Sequence, residues 1–244
     1  MDDVLVLWDI DGTLLNAGGV GRDLYDVVFL QLFGRSLSSY APMAGRTDRA
    51  IILETLGLAG VAEPHRYVDP FIAGLGAHAP LMRSAMASRG QALPGAAAAL
   101  ALVGGHAYQS VLTGNIRTLA EVKLAALGLR DGLDLCIGAY GDDHEDRAEL
   151  VRLARRRASA AHGRSPSSSF TAASAIAGPA AFAGSSTVIV GDTPLDIAAA
   201  LSAGARAVGV ATGSYSADDL IAAGAHAVLP SLADTPQVLD TLLG

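Results

Sequence analysis

Val4-Leu5-Val6-Leu7-Trp8-Asp9-Ile10-Asp11-Gly12-Thr13 is the stretch on which the reading of the whole chain turns. Its first five residues are continuously apolar, with no alternation of polar and apolar positions, and the run stops at a turn-forming Asp-Gly. A short run of this kind reads as a strand buried on both faces, as in parallel sheets covered by helices on each side. Asp9 and Asp11 stand two apart at its carboxyl end. On extended backbone their side chains therefore share one side while Ile10 turns away.

Working outward, the next seventy or so residues have a different texture. Asp23 to Phe33, Asp48 to Leu58 and Val68 to Ser88 carry helical apolar spacing, broken near Pro42, Gly45, Gly60 and Pro64, and no strand pattern interrupts them. From Leu93 onward, strand and helix patterns alternate. The spacing predicts helices over Gly95 to Val103, Ile116 to Leu127, Glu145 to Ala158, Pro194 to Ala203, Ala217 to Ala223 and Thr235 to Leu243. It predicts strands over Tyr108 to Leu112, Leu133 to Ile137, Thr187 to Val190, Ala207 to Ala211 and Ala227 to Leu229. The Ala/Ser/Gly-rich stretch from Ser159 to Ser186 is expected to be a loop or a loosely helical excursion. The fold class that follows is α/β, a doubly wound, Rossmann-like parallel sheet. Residues 1–16 and 93–244 form this core, residues 17–92 are a helical domain inserted after the first strand, and Gly18, Gly19 and Gly21 are the expected hinge.

Composition narrows the function. The 244 residues are 51% apolar and 17% charged, enough for a large core and unlike a disordered chain. A net charge of −7 and only 5% aromatic residues argue against nucleic acid as a partner. A single cysteine, Cys136, excludes an internal disulfide framework and a multi-thiolate zinc site. The acidic Met1-Asp2-Asp3 start lacks a secretory n-region, and Val4 to Trp8 is too short to span a bilayer, so a cytoplasmic protein without membrane association is expected. Signatures for a P-loop, a dinucleotide fold, a serine-hydrolase elbow and a His-Glu-x-x-His zinc site are all missing.

In a doubly wound sheet, ligands bind beyond the carboxyl ends of the strands. The first strand delivers Asp9 and Asp11 there, a second delivers Thr113-Gly114-Asn115, and a later one delivers Asp192 in Gly191-Asp192-Thr193-Pro194-Leu195-Asp196. Two close carboxylates repel unless a proton or a cation intervenes, and a hard dication such as Mg²⁺ suits oxygen ligands. A hydroxyl and free N–H groups opening a helix suit an anionic oxygen. Thr193, Pro194 and Asp196 also form a helix-capping sequence, which explains those three but leaves Asp192 without a structural reason. Lys123 is the only lysine. It lies on the helix after Thr113, with Arg147 and Arg152 as alternative cations on a later helix.

Together these residues resemble the haloacid dehalogenase superfamily of aspartyl-nucleophile phosphatases, and within it phosphoglycolate phosphatase and related small-molecule phosphatases. Four motifs stand in the family's order: Asp9 to Thr13, then Thr113, a lysine, and Gly191-Asp192 with Asp196. The helical block takes the place of a cap domain. The resemblance implies that Asp9 attacks the phosphoryl group and that Asp11 serves as acid and then base. Thr113, Gly114, Asn115 and Lys123 would hold the substrate's phosphoryl oxygens. Asp9, Asp11 through its backbone carbonyl, Asp192 and Asp196 would surround Mg²⁺. The family's Lys-Pro after the later strand is missing, since that stretch reads Gly141-Asp142-Asp143-His144-Glu145-Asp146-Arg147. Lys123 is therefore preferred over Arg147 as the third-motif cation, a compact ammonium being the closer replacement. Arg46 or Arg49, between helices of the block, is expected to reach the organic part of the substrate, with Thr47 or Asp48 as a plain helix cap being the alternative. The expected partner is a small phosphorylated metabolite and the expected assembly a monomer or homodimer. A sugar-phosphate mutase of the same superfamily and a catalytically silent binding module are the competing readings.

Overall fold

A computed structural model describes residues 3–162 and 182–244. The quoted run forms β1 (Leu5–Trp8), and a short β2 (Leu15–Asn16) follows. A helical block then comprises α1 (Val20–Phe33), α2 (Asp48–Leu58), α3 (Val68–His78) and α4 (Arg83–Arg89). The chain returns through β3 (Gln91–Ala92), α5 (Ala96–Val103), β4 (Tyr108–Val111), α6 (Arg117–Ala126) and α7 (Arg147–His162). It ends with β5 (Thr187–Gly191), α8 (Pro194–Ser202), β6 (Arg206–Val210), α9 (Ala217–Ala222), β7 (Ala227–Leu229) and α10 (Thr235–Leu243).

Five strands form one parallel sheet in the order β4-β1-β5-β6-β7. β1 is an interior strand and fully buried, as its unbroken apolar run requires. Its residues alternate between two apolar layers. Val6 and Trp8 pack with α5, α6 and α10 on one face, and Leu5 and Leu7 with α7 and α8 on the other. Because β4 and β5 flank β1 on opposite sides, the ends of these three strands open onto the crevice where strand order reverses.

The helical block has its own core of Leu24, Phe29, Ile52, Leu56, Phe71 and Leu75, onto which Ile116 and Leu119 of the α6 region also pack. The two chain crossings between block and sheet lie side by side as the antiparallel pair β2–β3, with Leu15 opposite Ala92. Two expectations are corrected. Val68 to Ser88 is not one helix: a 3₁₀ turn over Ala79–Met82, carrying Pro80, separates α3 from α4, because proline cannot continue the α-helical ladder. Leu133 to Ile137 is not a strand. The Asp134 side chain accepts the Cys136 N–H at 3.0 Å and folds a turn there; Asp134 N–H donates to Gln109 O at 3.0 Å and Ser110 Oγ donates to Asp134 O at 2.6 Å, and beyond the segment an isolated Leu112–Ala139 bridge follows. Of the Ser159 to Ser186 stretch, residues up to His162 extend α7 and Gly184–Ser186 form a 3₁₀ turn; residues 163–181 lie outside the described residues.

The loop entering α2 is stitched to the core. Asp48 N–H donates to Gly114 O at 2.7 Å, and Thr47 Oγ1 to Glu145 O at 3.0 Å. Gly114 and Gly141 permit the approach: a Cβ on Gly114 would coincide with the Arg46 carbonyl, and one on Gly141 with the Gly114 carbonyl. Gly114→Ala is therefore expected to force block and core apart locally and to cost about 1–3 kcal/mol, the usual range for overpacking. A urea unfolding curve with a lower midpoint and unchanged slope is the expected result.

Candidate functional site

Asp9 extends β1 by one rung, its N–H donating to Val190 O at 2.8 Å, which fixes its buried carboxylate at the floor of the crevice. Gly12 then turns the chain at a φ of 88°, with Asp192 packed so closely that a Cβ would collide with its carboxylate. Thr13, also buried, donates from Oγ1 to Asp192 Oδ1 at 3.2 Å. The Asp-Gly-Thr sequence thus brings the ends of β1 and β5 into register. Thr193 and Asp196 form the expected capping box on α8: Thr193 N–H and Oγ1 donate to Asp196 Oδ2 at 3.1 and 2.7 Å.

Two cations divide the acids between them. Arg147, at the first turn of α7 and only 8% exposed, donates from Nη2 to Asp9 Oδ1 at 2.7 Å and meets Asp196 Oδ1 at 2.5 Å. The same guanidinium reaches Leu112 O at 3.3 Å and Gly45 O at 3.2 Å, so it ties the ends of β1 and β4 and the first turn of α8 to the loop before α2. Lys123, 4% exposed, donates instead to Asp11 Oδ2 at 2.6 Å and Asn115 Oδ1 at 2.7 Å. Asn115 Nδ2 donates to the same Asp11 oxygen at 2.7 Å and to Thr113 Oγ1 at 2.8 Å. Arg152 pairs with Glu149 and Ser202 O, outside the cleft.

Asp9, Asp192 and Asp196 are all buried, and each offers a carboxylate oxygen within 4.8 Å of the other two. Burial, reinforced by Asp196, pushes Asp9 well above the usual carboxylate range despite Arg147 beside it. Burial and then Asp196 push Asp192 up to about 7. Burial opposes the Arg147 charge, but Asp196 and Asp9 outweigh it and keep the guanidinium ionised. Ionised together, the three acids would outnumber the one guanidinium by two negative charges, which a divalent cation would balance. The donor set fits such an ion through Asp9 and Asp192. Asp196 gives Oδ2 to Thr193, its buried Oδ1 is ion-paired with Arg147 but accepts no hydrogen bond and stays within the acidic cluster, and the Asp11 carboxylate is bonded to Lys123 and Asn115.

The cleft above these acids encloses about 330 Å³ and is lined by Asp9, Asp11, Thr113, Gly114, Asn115, Lys123, Arg147 and Asp192, with Arg22, Tyr25, Arg46 and Asp48 of the helical block. Arg46 faces it while pairing with Glu54 at 2.7 Å. Arg49 does not line it and pairs with Asp69 at 3.0 Å. Thr47 is the N-cap of α2, as the capping alternative expects. Asp48 is more than a cap. Its buried carboxylate accepts Tyr25 Oη at 2.8 Å and Ile116 N–H at 2.8 Å, joining α1, α2 and the start of α6. Burial raises Asp48 and Tyr25 alike. Sequence reasoning missed this pair, since a tyrosine on an amphipathic helix and an acid in a first turn are both ordinary surface signals.

For Asp192 in metal-free protein, the folded pKa of about 7 lies above the unfolded value near 3.8. Between these values the folded state holds a proton that the unfolded chain has lost, so this group's contribution to stability falls as pH rises through the window. The stability difference between wild type and Asp192→Asn is expected to shift against wild type by a few kcal/mol, to order of magnitude, between pH 5 and 8 in EDTA. Urea unfolding at the two pH values measures it, and a divalent cation added at pH 8 is expected to reverse it.

Residues 156–235 match a HAD-hydrolase-like family model. No curated protein matches the chain. Among solved structures, a hydrolase from Pseudomonas syringae superposes with a TM-score of 0.66 at 18% identity, covering 99% of this chain and 100% of that one. A phosphatase predicted in Clostridium acetobutylicum superposes with a TM-score of 0.66 at 16% identity, covering 98% and 100%. A beta-phosphoglucomutase-like protein from Bacteroides vulgatus gives a TM-score of 0.62 at 16% identity, covering 99% and 90%. The family match covers residues 156–235, and the likeness to these solved structures over nearly the whole length shows that the chain shares their fold.

Proposed function

We propose that the chain is a Mg²⁺-dependent phosphatase acting on a small phosphorylated metabolite, phosphoglycolate phosphatase-like, through an aspartyl-phosphate on Asp9. The observation that carries this reading is the buried Asp9 carboxylate on the floor of the cleft, with Arg147 against one oxygen and Asp11 two residues on at the cleft wall. In the first step an Asp9 oxygen bonds to phosphorus as the bond from phosphorus to the leaving oxygen breaks, and Asp11 passes its proton to that oxygen. In the second, Asp11 takes a proton from water, the water oxygen bonds to phosphorus, and Asp9 is released. A magnesium ion held by Asp9 and Asp192 would add positive charge beside the phosphoryl oxygens.

Arg147 is the third-motif cation in this reading, in place of Lys123. It touches the attacking carboxylate itself, and its guanidinium stays ionised through Asp196 and Asp9. Thr113 Oγ1 accepts from Asn115, which leaves its own proton for a phosphoryl oxygen, and Gly114 lines the same wall. Residues 17–92 act as the cap over the core of 1–16 and 93–244, with Arg46 the cap cation facing the substrate. Arg49, held by Asp69, has no such part.

Phosphate release from 4-nitrophenyl phosphate is expected to require Mg²⁺, to stop with EDTA and to vanish in Asp9→Asn. Asp11→Asn is expected to lower it about 10²–10⁴-fold, the usual worth of acid–base help. Turnover that survives Asp9→Asn would overturn the reading. The likeness to the B. vulgatus protein supports a second reading, a sugar-phosphate mutase on the same nucleophile. Phosphorus NMR separates the two, through inorganic phosphate in one case and an isomeric sugar phosphate in the other.

A further inference from the structure

Lys123 and Asn115 converge on a single atom. Both donate to Asp11 Oδ2, at 2.6 and 2.7 Å, and they are bonded to each other through Asn115 Oδ1 at 2.7 Å. Asp11 Oδ1 receives no hydrogen bond among the described residues, and the Asp11 side chain is 41% exposed where it lines the cleft. The clamp is itself held. Asn115 O accepts Gly141 N–H at 2.8 Å, and the start of α6, which carries Lys123, is pinned by Asp48 through Ile116 N–H. Lys123 has no contact with Asp9, whose cation is Arg147.

We infer that Lys123, with Asn115, is a positioning residue for Asp11: it fixes Oδ2 so that Oδ1 alone faces the departing oxygen of the substrate. A carboxylate gripped at one oxygen by two donors cannot turn about its Cβ–Cγ bond without breaking both bonds. Proton delivery then occurs from one atom at a set angle, the geometric requirement of general acid catalysis. This rests on the phosphoryl transfer proposed above. There the bond between phosphorus and the leaving oxygen breaks, the bond from Asp9 forms, and the proton on Asp11 Oδ1 ends on the leaving oxygen. Two cations in one cleft thereby serve different atoms, Arg147 the attacking end and Lys123 the leaving end.

The test is a series of 2,4-dinitrophenyl, 4-nitrophenyl and phenyl phosphates with wild type, Lys123→Met, Asn115→Ala and Asp11→Asn, read as kcat/KM. These substrates differ mainly in how much the leaving oxygen needs a proton, least for dinitrophenyl and most for phenyl. In Lys123→Met, the phenyl phosphate value is expected to fall about 10²-fold further than the dinitrophenyl value, approaching the slope of Asp11→Asn. Asn115→Ala is expected to steepen the slope in the same direction by less, which keeps the inference open to test if Lys123→Met does not fold. Equal losses across the series in both variants would mean that Lys123 holds the phosphoryl group, and would overturn the inference while leaving the phosphatase reading intact. A folded wild type that turns over no member of the series would remove both.

Discussion

The Arg147 guanidinium between Asp9 and Asp196 is the interaction on which the rest of the site depends. Three buried carboxylates at the ends of β1 and β5 would repel one another strongly in a poorly solvated space, and Arg147 is the cation that touches two of them. Its planar fork suits the place, because it can also meet Leu112 O and Gly45 O, which a lysine's single ammonium could not span. One side chain from α7 therefore joins two strand ends, the first turn of α8 and the entry to α2. Removing it would leave buried acids uncompensated and loosen the floor and one wall of the cleft together.

The opposite wall is built on backbone contacts. Gly114 and Gly141 let the loop before α2 come down onto the core, and Asp48 fills the junction with a carboxylate whose oxygens are taken by Tyr25 and Ile116 N–H. The burial of Asp48 costs solvation, which these donors offset. Asp48 ties α1 and α2 to the start of α6, next to the loop that carries Thr113 and Asn115. Apolar packing adds to these polar contacts, since Ile116, Leu119, Val122 and Ala126 of the α6 region lie against the core of the helical block.

Lys123 and Arg147 show why residue type alone is a poor guide to which acid a cation meets. By chemistry the lysine is the nearer match to a phosphate-side cation, and Lys123 does reach the cleft. Its ammonium is nevertheless spent on Asp11 and Asn115, while the arginine 24 positions further on meets Asp9. The choice follows from where α6 and α7 lie against the sheet. α6 follows β4 at its edge position and presents Lys123 to the Asp11 side of the turn, and α7 starts beneath the β1 and β5 ends.

Much of the architecture could be read directly. The unbroken Val4 to Trp8 run dictated a strand buried on both faces, Asp-Gly-Thr a tight turn at its end, and Thr193-Pro194-Leu195-Asp196 a capped helix, because each depends on forces acting within a few residues. Asp9, Asp11, Thr113 and Asp192 could be placed in one crevice because parallel topology sends all carboxyl ends the same way. The tertiary structure decided the rest. Which cation meets which acid, the burial of Asp48 under Tyr25, and the turn at Leu133 to Ile137 all depend on groups far apart in the chain, as with Arg147 and Asp9 at a separation of 138 residues. Local sequence encodes periodicity and turn chemistry. The pairing of buried charges is set by how helices pack across the sheet, where desolvation makes each unpaired group costly and leaves few arrangements open.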